Sequence, residues 1–240
     1  GRRLRNYSLP AYYGVAQPGP VGRAESSASS RGRVANRSLE GLALTPDGRT
    51  LVGAMQSPLI QDGGVGALRA RIISIDVRSG RQHEFVYALA GADNMVSEIL
   101  ALSERDFLVV ERDGTEGARA AFKRIVFMTL DGATDVAGKA ALPAVVTPVA
   151  KSPFIDLLDA RFGLRGADFP QRIEGLSLGP DVDIAGVRHH TLYVSTDNDY
   201  LDDEPTHLFV FAIGPDDLKI RREQSHRHAT TATSAYNRNR

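Results

Sequence analysis

Ser38-Leu39-Glu40-Gly41-Leu42-Ala43-Leu44-Thr45-Pro46 is answered later in the chain by Arg172-Ile173-Glu174-Gly175-Leu176-Ser177-Leu178-Gly179-Pro180. A looser copy, Val96-Ser97-Glu98-Ile99-Leu100-Ala101-Leu102, stands between them. Each copy puts a carboxylate ahead of a short apolar strand, and a second apolar strand follows each. Three copies of one unit indicate a repeat architecture, in which stacked neighbours bury faces that no unit can bury alone.

Outward from the first copy, residues 42–44, the turn Thr45-Pro46-Asp47-Gly48 and residues 50–53 read as strand, turn, strand. Residues 71–77 and 84–89 flank Arg78-Ser79-Gly80-Arg81 as a second hairpin. Four antiparallel strands in succession predict one propeller blade. The second unit repeats the order with residues 99–102, 107–110 and 124–130, and a fourth segment between 145 and 158. The third has residues 176–178, 191–195 and 208–213, with a fourth strand at 218–221 or supplied from upstream. The expected fold is all-β, a β-propeller of four-stranded antiparallel blades. About three blades are visible, and rings usually hold four to eight, so the ring is expected to be incomplete at the N-terminal side.

The flanks read differently. Pro10, Pro18, Pro20, Gly14, Gly19 and Gly22 make residues 1–37 an irregular segment, with 25–33 a Ser-rich flexible connector. Residues 38–222 form the propeller domain, and 223–240 are a polar, basic, disordered tail. Only residues 154–162 offer a short amphipathic helix candidate.

Composition narrows the function classes. The 240 residues are 42% hydrophobic and 24% charged, ordinary for a packed globular chain. Formal net charge is zero, so no field draws the chain to nucleic acid or to an anionic membrane. With no cysteine, disulfides, thiolate nucleophiles and zinc–thiolate sites are excluded. No apolar run approaches the roughly 20 residues of a membrane span. Gly1-Arg2-Arg3-Leu4-Arg5-Asn6 lacks an initiator Met and a signal-peptide core, so upstream sequence is expected.

The repeated Glu is the first place to look for chemistry. In the second unit the short turn between Leu102 and Phe107 puts Glu98 opposite Glu111 on an antiparallel pair. Like charges so placed cost stability unless a cation, or Arg112 or Lys123, offsets them. In the third unit Glu174 and Thr196-Asp197-Asn198-Asp199 share one rim. Glu40 falls opposite Met55 or Gln56. Stacked blades then converge Glu40, Glu98, Glu111, Glu174, Asp197 and Asp199 on one mouth, a hard-oxygen site suited to Ca²⁺ or Mg²⁺. A single Glu before a strand is more often a solvated edge residue; three at equivalent positions shift the balance toward a site. Gly41 and Gly175 are expected to allow close packing on the next blade. His189-His190 reads as a solvated turn, Gln61-Asp62-Gly63-Gly64 as a turn, and Lys151 as a surface lysine. There is no Gly-x-Ser-x-Gly elbow, zinc-type His pair or phosphate-cradling loop.

These motifs resemble the phytase-like family, a group described by esterase-like activity and related to β-propeller folds. The resemblance runs from residue 36 to 213. It is carried by Leu39 through Gly48, Ser57-Pro58-Leu59 with Gln61-Asp62-Gly63, Phe107-Leu108-Val109-Val110-Glu111-Arg112, Ile173-Glu174-Gly175 and Val194 through Asp199. It implies an extracytoplasmic (periplasmic or secreted) propeller acting on ester or phosphoester substrates, with acids as site residues. By similarity Glu40, Glu98, Glu111, Arg112, Glu174, Asp197 and Asp199 fall on the family's motif positions.

The expected function is a metal-assisted hydrolase of small-molecule esters or phosphoesters. Glu98, Glu111, Arg112 and Asp197 are its catalytic candidates, and Glu40, Glu98, Glu174, Asp197 and Asp199 its Ca²⁺ ligands. The alternative is a non-catalytic, calcium-stabilised propeller that serves as a binding module.

Overall fold

Pro46-Asp47-Gly48 makes the turn its composition promises. Thr45 Oγ1 donates to Asp47 Oδ1 at 2.6 Å, and Gly48 takes a φ of 71° that a side chain would resist. In this computed structural model, which describes residues 1–202, 204–214 and 217–218, the turn joins β1 (Leu39–Leu44) to β2 (Thr50–Met55). β3 (Arg69–Asp76) and β4 (Gln82–Ala88) complete an antiparallel sheet in the order β1-β2-β3-β4. The second sheet repeats it with β5 (Met95–Ala101), β6 (Asp106–Arg112), β7 (Lys123–Thr129) and β8 (Ala150–Asp156).

The third sheet departs from the plan. β9 (Ile173–Leu178) pairs with β11 (Val187–Thr196), which pairs with β12 (Leu208–Ile213). Its fourth strand is β10 (Val182–Ile184), hairpinned onto β11 from the stretch between the first two expected strands of this unit. Leu218 is buried against the same core; residues 219–221 and the tail from 223 lie outside the described residues. The fold is all-β, in antiparallel four-stranded sheets, of which the first two follow the blade pattern.

Sheets meet along their first strands, β1 on β5 and β5 on β9. Ala43, Val52 and Ile72 of the first sheet share one core with Ile99, Phe107 and Val109 of the second. Leu108, Val110 and Ile125, on the second sheet's other face, share another with Ile173, Leu192 and Val194 of the third. Gly41 is the close-approach position expected: a Cβ there would come within 2.8 Å of Ile99 Cγ2. Gly175 is constrained instead from within its own sheet, by Ser195 Oγ.

Every first strand carries a bulge, and the bulges correct the sequence alignment. Leu39 pairs with Met55 and Gly41 with Ala54, leaving Glu40 extra. Val96 pairs with Glu111 and Glu98 with Val110, leaving Ser97 extra; Ile173 pairs with Thr196 and Gly175 with Ser195, leaving Glu174 extra. The structural repeat therefore aligns Glu40, Ser97 and Glu174, and sets Glu98 level with Gly41 and Gly175. A slip of one residue reverses which face a side chain joins. Glu98 does not stand opposite Glu111.

The N-terminal segment is more ordered than its composition suggests. α1 (Gly22–Ala28) occupies part of the expected connector, and Glu25 is buried with Arg33 Nη1 at 2.7 Å. A fully buried cluster ties the segment to the first sheet. Arg71 donates from Nε to Asp62 Oδ2 at 2.7 Å and from Nη1 to Glu84 Oε2 at 2.9 Å. Tyr12 and Tyr13 both donate to Glu84, so Asp62 and its neighbours do more than turn the chain. The helix candidate at 154–162 is instead the end of β8 and a single 3₁₀ turn, Ala160–Phe162.

Candidate functional site

Glu111 and Arg112 end β6, where the period-2 alternation of a strand sends them to opposite faces, and Asp113 follows directly after it. Glu111 turns toward the first sheet, Arg112 toward the third, and Asp113 toward its own connection. Each is buried.

Glu111 has no exposed side-chain surface and four donors. They are Tyr87 Oη at 2.8 Å, the Ala90 N–H at 2.6 Å, Asn94 Nδ2 at 2.9 Å and Lys151 Nζ at 2.6 Å. Burial opposes its ionisation, but the Lys151 ammonium and the two N–H donors outweigh that and hold its pKa below the usual carboxylate range. A carboxylate so enclosed has no lone pair left for a substrate or metal. Glu111, expected as catalytic, is a clasp between the first two sheets, and Lys151 is its counter-ion rather than a surface lysine. Lys123, the other expected partner, instead holds Asp113 at 2.9 Å and the Gln171 carbonyl at 2.8 Å.

Arg112 faces the other way. Nη2 donates to Glu174 Oε1 at 2.5 Å across the seam between the second and third sheets. Its Nε is buried with no hydrogen-bond partner among the described residues. Burial lowers the guanidinium's pKa against the pull of Glu174, and the nearby Arg172 adds repulsion. Glu40 joins this group from the first sheet. Its Oε1 accepts from Gln56 Nε2 at 2.7 Å. Its pKa is raised by the loss of solvent around it and by the Glu174 carboxylate, with Arg112 opposing. Sequence reading missed Arg172, which pairs with Asp199 at 2.9 Å and lies 3.5 Å from Glu204. Its one signal was its place two residues ahead of the repeated Glu.

The remaining candidates stand apart. Glu98 is half-buried and, among the described residues, accepts from its neighbouring Ile99 N–H at 2.7 Å. Burial raises its pKa, partly offset by that N–H. Asp197 lies level with Arg172 rather than Glu174, its N–H on the Arg172 carbonyl and its Oδ1 taken by the Asp199 N–H. His190 lies in β11, Nδ1 to Asp181 Oδ1 at 2.7 Å, not in a free turn.

A calcium ion needs six to eight oxygen ligands, several of them carboxylates. Among the described residues no group of three or more His, Asp or Glu side chains gathers in a form that could hold a metal. Glu174 is committed to Arg112 and Asp199 to Arg172. As arranged, the expected carboxylate set does not fit a calcium cage.

What the site does offer is a buried cation with a free N–H beside an acid whose protonation is favoured. Residues 1–200 match the phytase-like family, described as esterase-like activity of phytase. The chain belongs to that family. Comparison with curated proteins and with solved structures finds no match. The family description puts esterase- or phosphatase-like hydrolysis at the family level and leaves the substrate open. Among the described residues no helix is long and apolar enough to cross a membrane.

Proposed function

We propose that the chain hydrolyses a small-molecule ester or phosphoester where Glu40, Arg112 and Glu174 meet. The observation that carries this is Arg112: a buried guanidinium, oriented by Glu174, with Nε uncommitted. Hydrolysis builds negative charge on a carbonyl or phosphoryl oxygen, and a preoriented cation in a water-poor setting stabilises that charge. Glu174 acts as a positioning residue, fixing the plane of the guanidinium. Glu40 is the proton carrier. As base it takes a proton from water while the water oxygen bonds to carbon or phosphorus. The bond to the leaving oxygen then breaks, and Glu40 returns the proton to it. Its raised pKa suits a group that must both take and return a proton.

The test is turnover of p-nitrophenyl acetate and p-nitrophenyl phosphate by the full chain and by two variants. Glu40→Gln is expected to lower kcat by about 100-fold or more, the scale of general acid–base catalysis. Arg112→Lys keeps the charge but loses the planar fork, and is expected to lower kcat/KM by a similar factor. No turnover of either substrate by the folded wild type, or unchanged rates in both variants, would overturn the reading.

A further inference from the structure

Among the described residues, three buried side-chain atoms lack a hydrogen-bond partner: Ser57 Oγ, Arg112 Nε and Arg172 Nη1. Folded chains leave few such atoms unpaired, and two of these three belong to guanidiniums beside Glu174. Their neighbourhood is continuous. Arg112 pairs with Lys123 across β6 and β7, and Lys123 Nζ donates to the carbonyl of Gln171, the residue before Arg172. Arg172 is fixed where β11 ends, its own carbonyl accepting the Asp197 N–H at 3.1 Å. Its Nη2 donates to Asp199 Oδ2 at 2.9 Å, whereas Nη1 lies 3.5 Å from Glu204 Oε2, a contact of charges without a hydrogen bond. Lys123 is neutralised by Asp113, but the two guanidiniums repel one another. The Arg172 side chain is 23% exposed and that of Asp199 59%, so solvent reaches this pair from the Asp199 side.

We propose that Arg112 Nε and Arg172 Nη1 together bind an oxyanion group of the substrate, phosphoryl or carboxyl, and that Arg172 selects an anionic substrate over a neutral one. This rests on the hydrolytic reading above, to which it adds a second arginine and a charge on the substrate. An anion with two or more oxygens gives both unpaired N–H groups an acceptor and offsets the repulsion between their guanidiniums. A neutral carbonyl supplies an acceptor but no charge. Arg172 reaches the anion by loosening its hold on Asp199, whose exposed carboxylate returns to water at small cost. Glu174 meanwhile keeps its hydrogen bond to Arg112 Nη2, so Nε stays oriented.

The test is isothermal titration calorimetry of the full chain with inorganic phosphate and, separately, with acetate, at one ionic strength held with chloride. Saturable binding at one site is expected, and the tighter of the two anions names the group as phosphoryl or carboxyl. Arg172→Gln should weaken that binding about 10- to 100-fold, the scale of one hydrogen bond to a charged group. Asp199→Asn, which frees Arg172 from its exposed partner, should tighten it about 2- to 5-fold, the scale of an exposed ion pair. Circular dichroism checks that each variant is folded, and Asp199→Asn decides the matter should Arg172→Gln fail to fold. Binding of neither anion would overturn the proposal, as would an affinity that Arg172→Gln leaves unchanged or that Asp199→Asn lowers. Neither probe is hydrolysed, so the two readings separate. Arg172-dependent binding without turnover of either p-nitrophenyl substrate would uphold the anion site and overturn the hydrolytic reading; turnover without anion binding would do the reverse.

Discussion

Arg112 and Glu174, 62 residues apart in the chain, meet across the seam between the second and third sheets with Nη2 at 2.5 Å from Oε1. The guanidinium side chain is 5% exposed and the carboxylate 28%. Breaking a fully buried pair from one side costs about 3–5 kcal/mol, and solvent at Glu174 reduces that here to about 1–2 kcal/mol. Glu174→Gln is expected to lose that much in urea denaturation. Adding Arg112→Met should recover part of it, because no uncompensated charge then remains. A double variant worse than the sum of the singles would contradict this.

Glu111 gives the fold a pH dependence of known sign. Its pKa is depressed in the folded chain, so its contribution is present above the ordinary carboxylate range and lost as pH falls through the folded value. Glu111→Gln strands Lys151 and is expected to cost about 3–5 kcal/mol near neutrality. The gap from wild type should close below about pH 4, the ordinary Glu range. A gap constant across acid and neutral pH would mean that lost hydrogen bonds, not charge, set the cost.

Glu98 has the opposite sign. Burial raises its folded pKa, so ionisation destabilises the fold as pH rises from the ordinary carboxylate range through the folded value. Among the described residues it forms no ion pair, and a Gln oxygen can still accept from Ile99 N–H. Glu98→Gln is expected to raise the melting temperature at neutral pH and to leave it unchanged under acid conditions. A lower melting temperature at neutral pH would show that Glu98 has a stabilising partner in solution.

Calcium is expected to leave the melting temperature unchanged, because Glu174 and Asp199 would first have to abandon their arginines. A rise of several degrees on adding millimolar calcium, reversed by chelator, would show that these carboxylates rearrange around the ion.

Much of the fold was legible because its signals are local. Pro46-Asp47-Gly48 and Arg78-Ser79-Gly80-Arg81 fix turns from within a few residues, and alternating apolar positions name the strands between them. The extra residue in each first strand was not legible, since a bulge depends on the partner strand. That one-residue slip turned Glu98 into a supposed equal of Glu40, whose structural counterpart is Ser97. The site was half visible. Glu40, Arg112 and Glu174 stood in the candidate set and do come together, but Glu111 looked the same in sequence and is enclosed. What separates them is Lys151, 40 residues downstream, reaching back to Glu111. α1 escaped notice because its helix buries a charged residue, Glu25, rather than an apolar stripe.

The Arg71 cluster binds the first sheet to something outside itself. Two of its guanidinium donors end on the carbonyls of Lys139 and Ala140, and Asp62 accepts the Leu142 N–H, all from the connection between β7 and β8. A chain cut between the first and second sheets would keep every strand of the first, yet leave a buried cation short of acceptors. The first blade therefore cannot mature as an independent unit. Its acids come from the first sheet's own stretch of chain, but its hydrogen bonds are complete only once the second blade's last connection arrives, so the two are expected to gain and lose structure in one cooperative step.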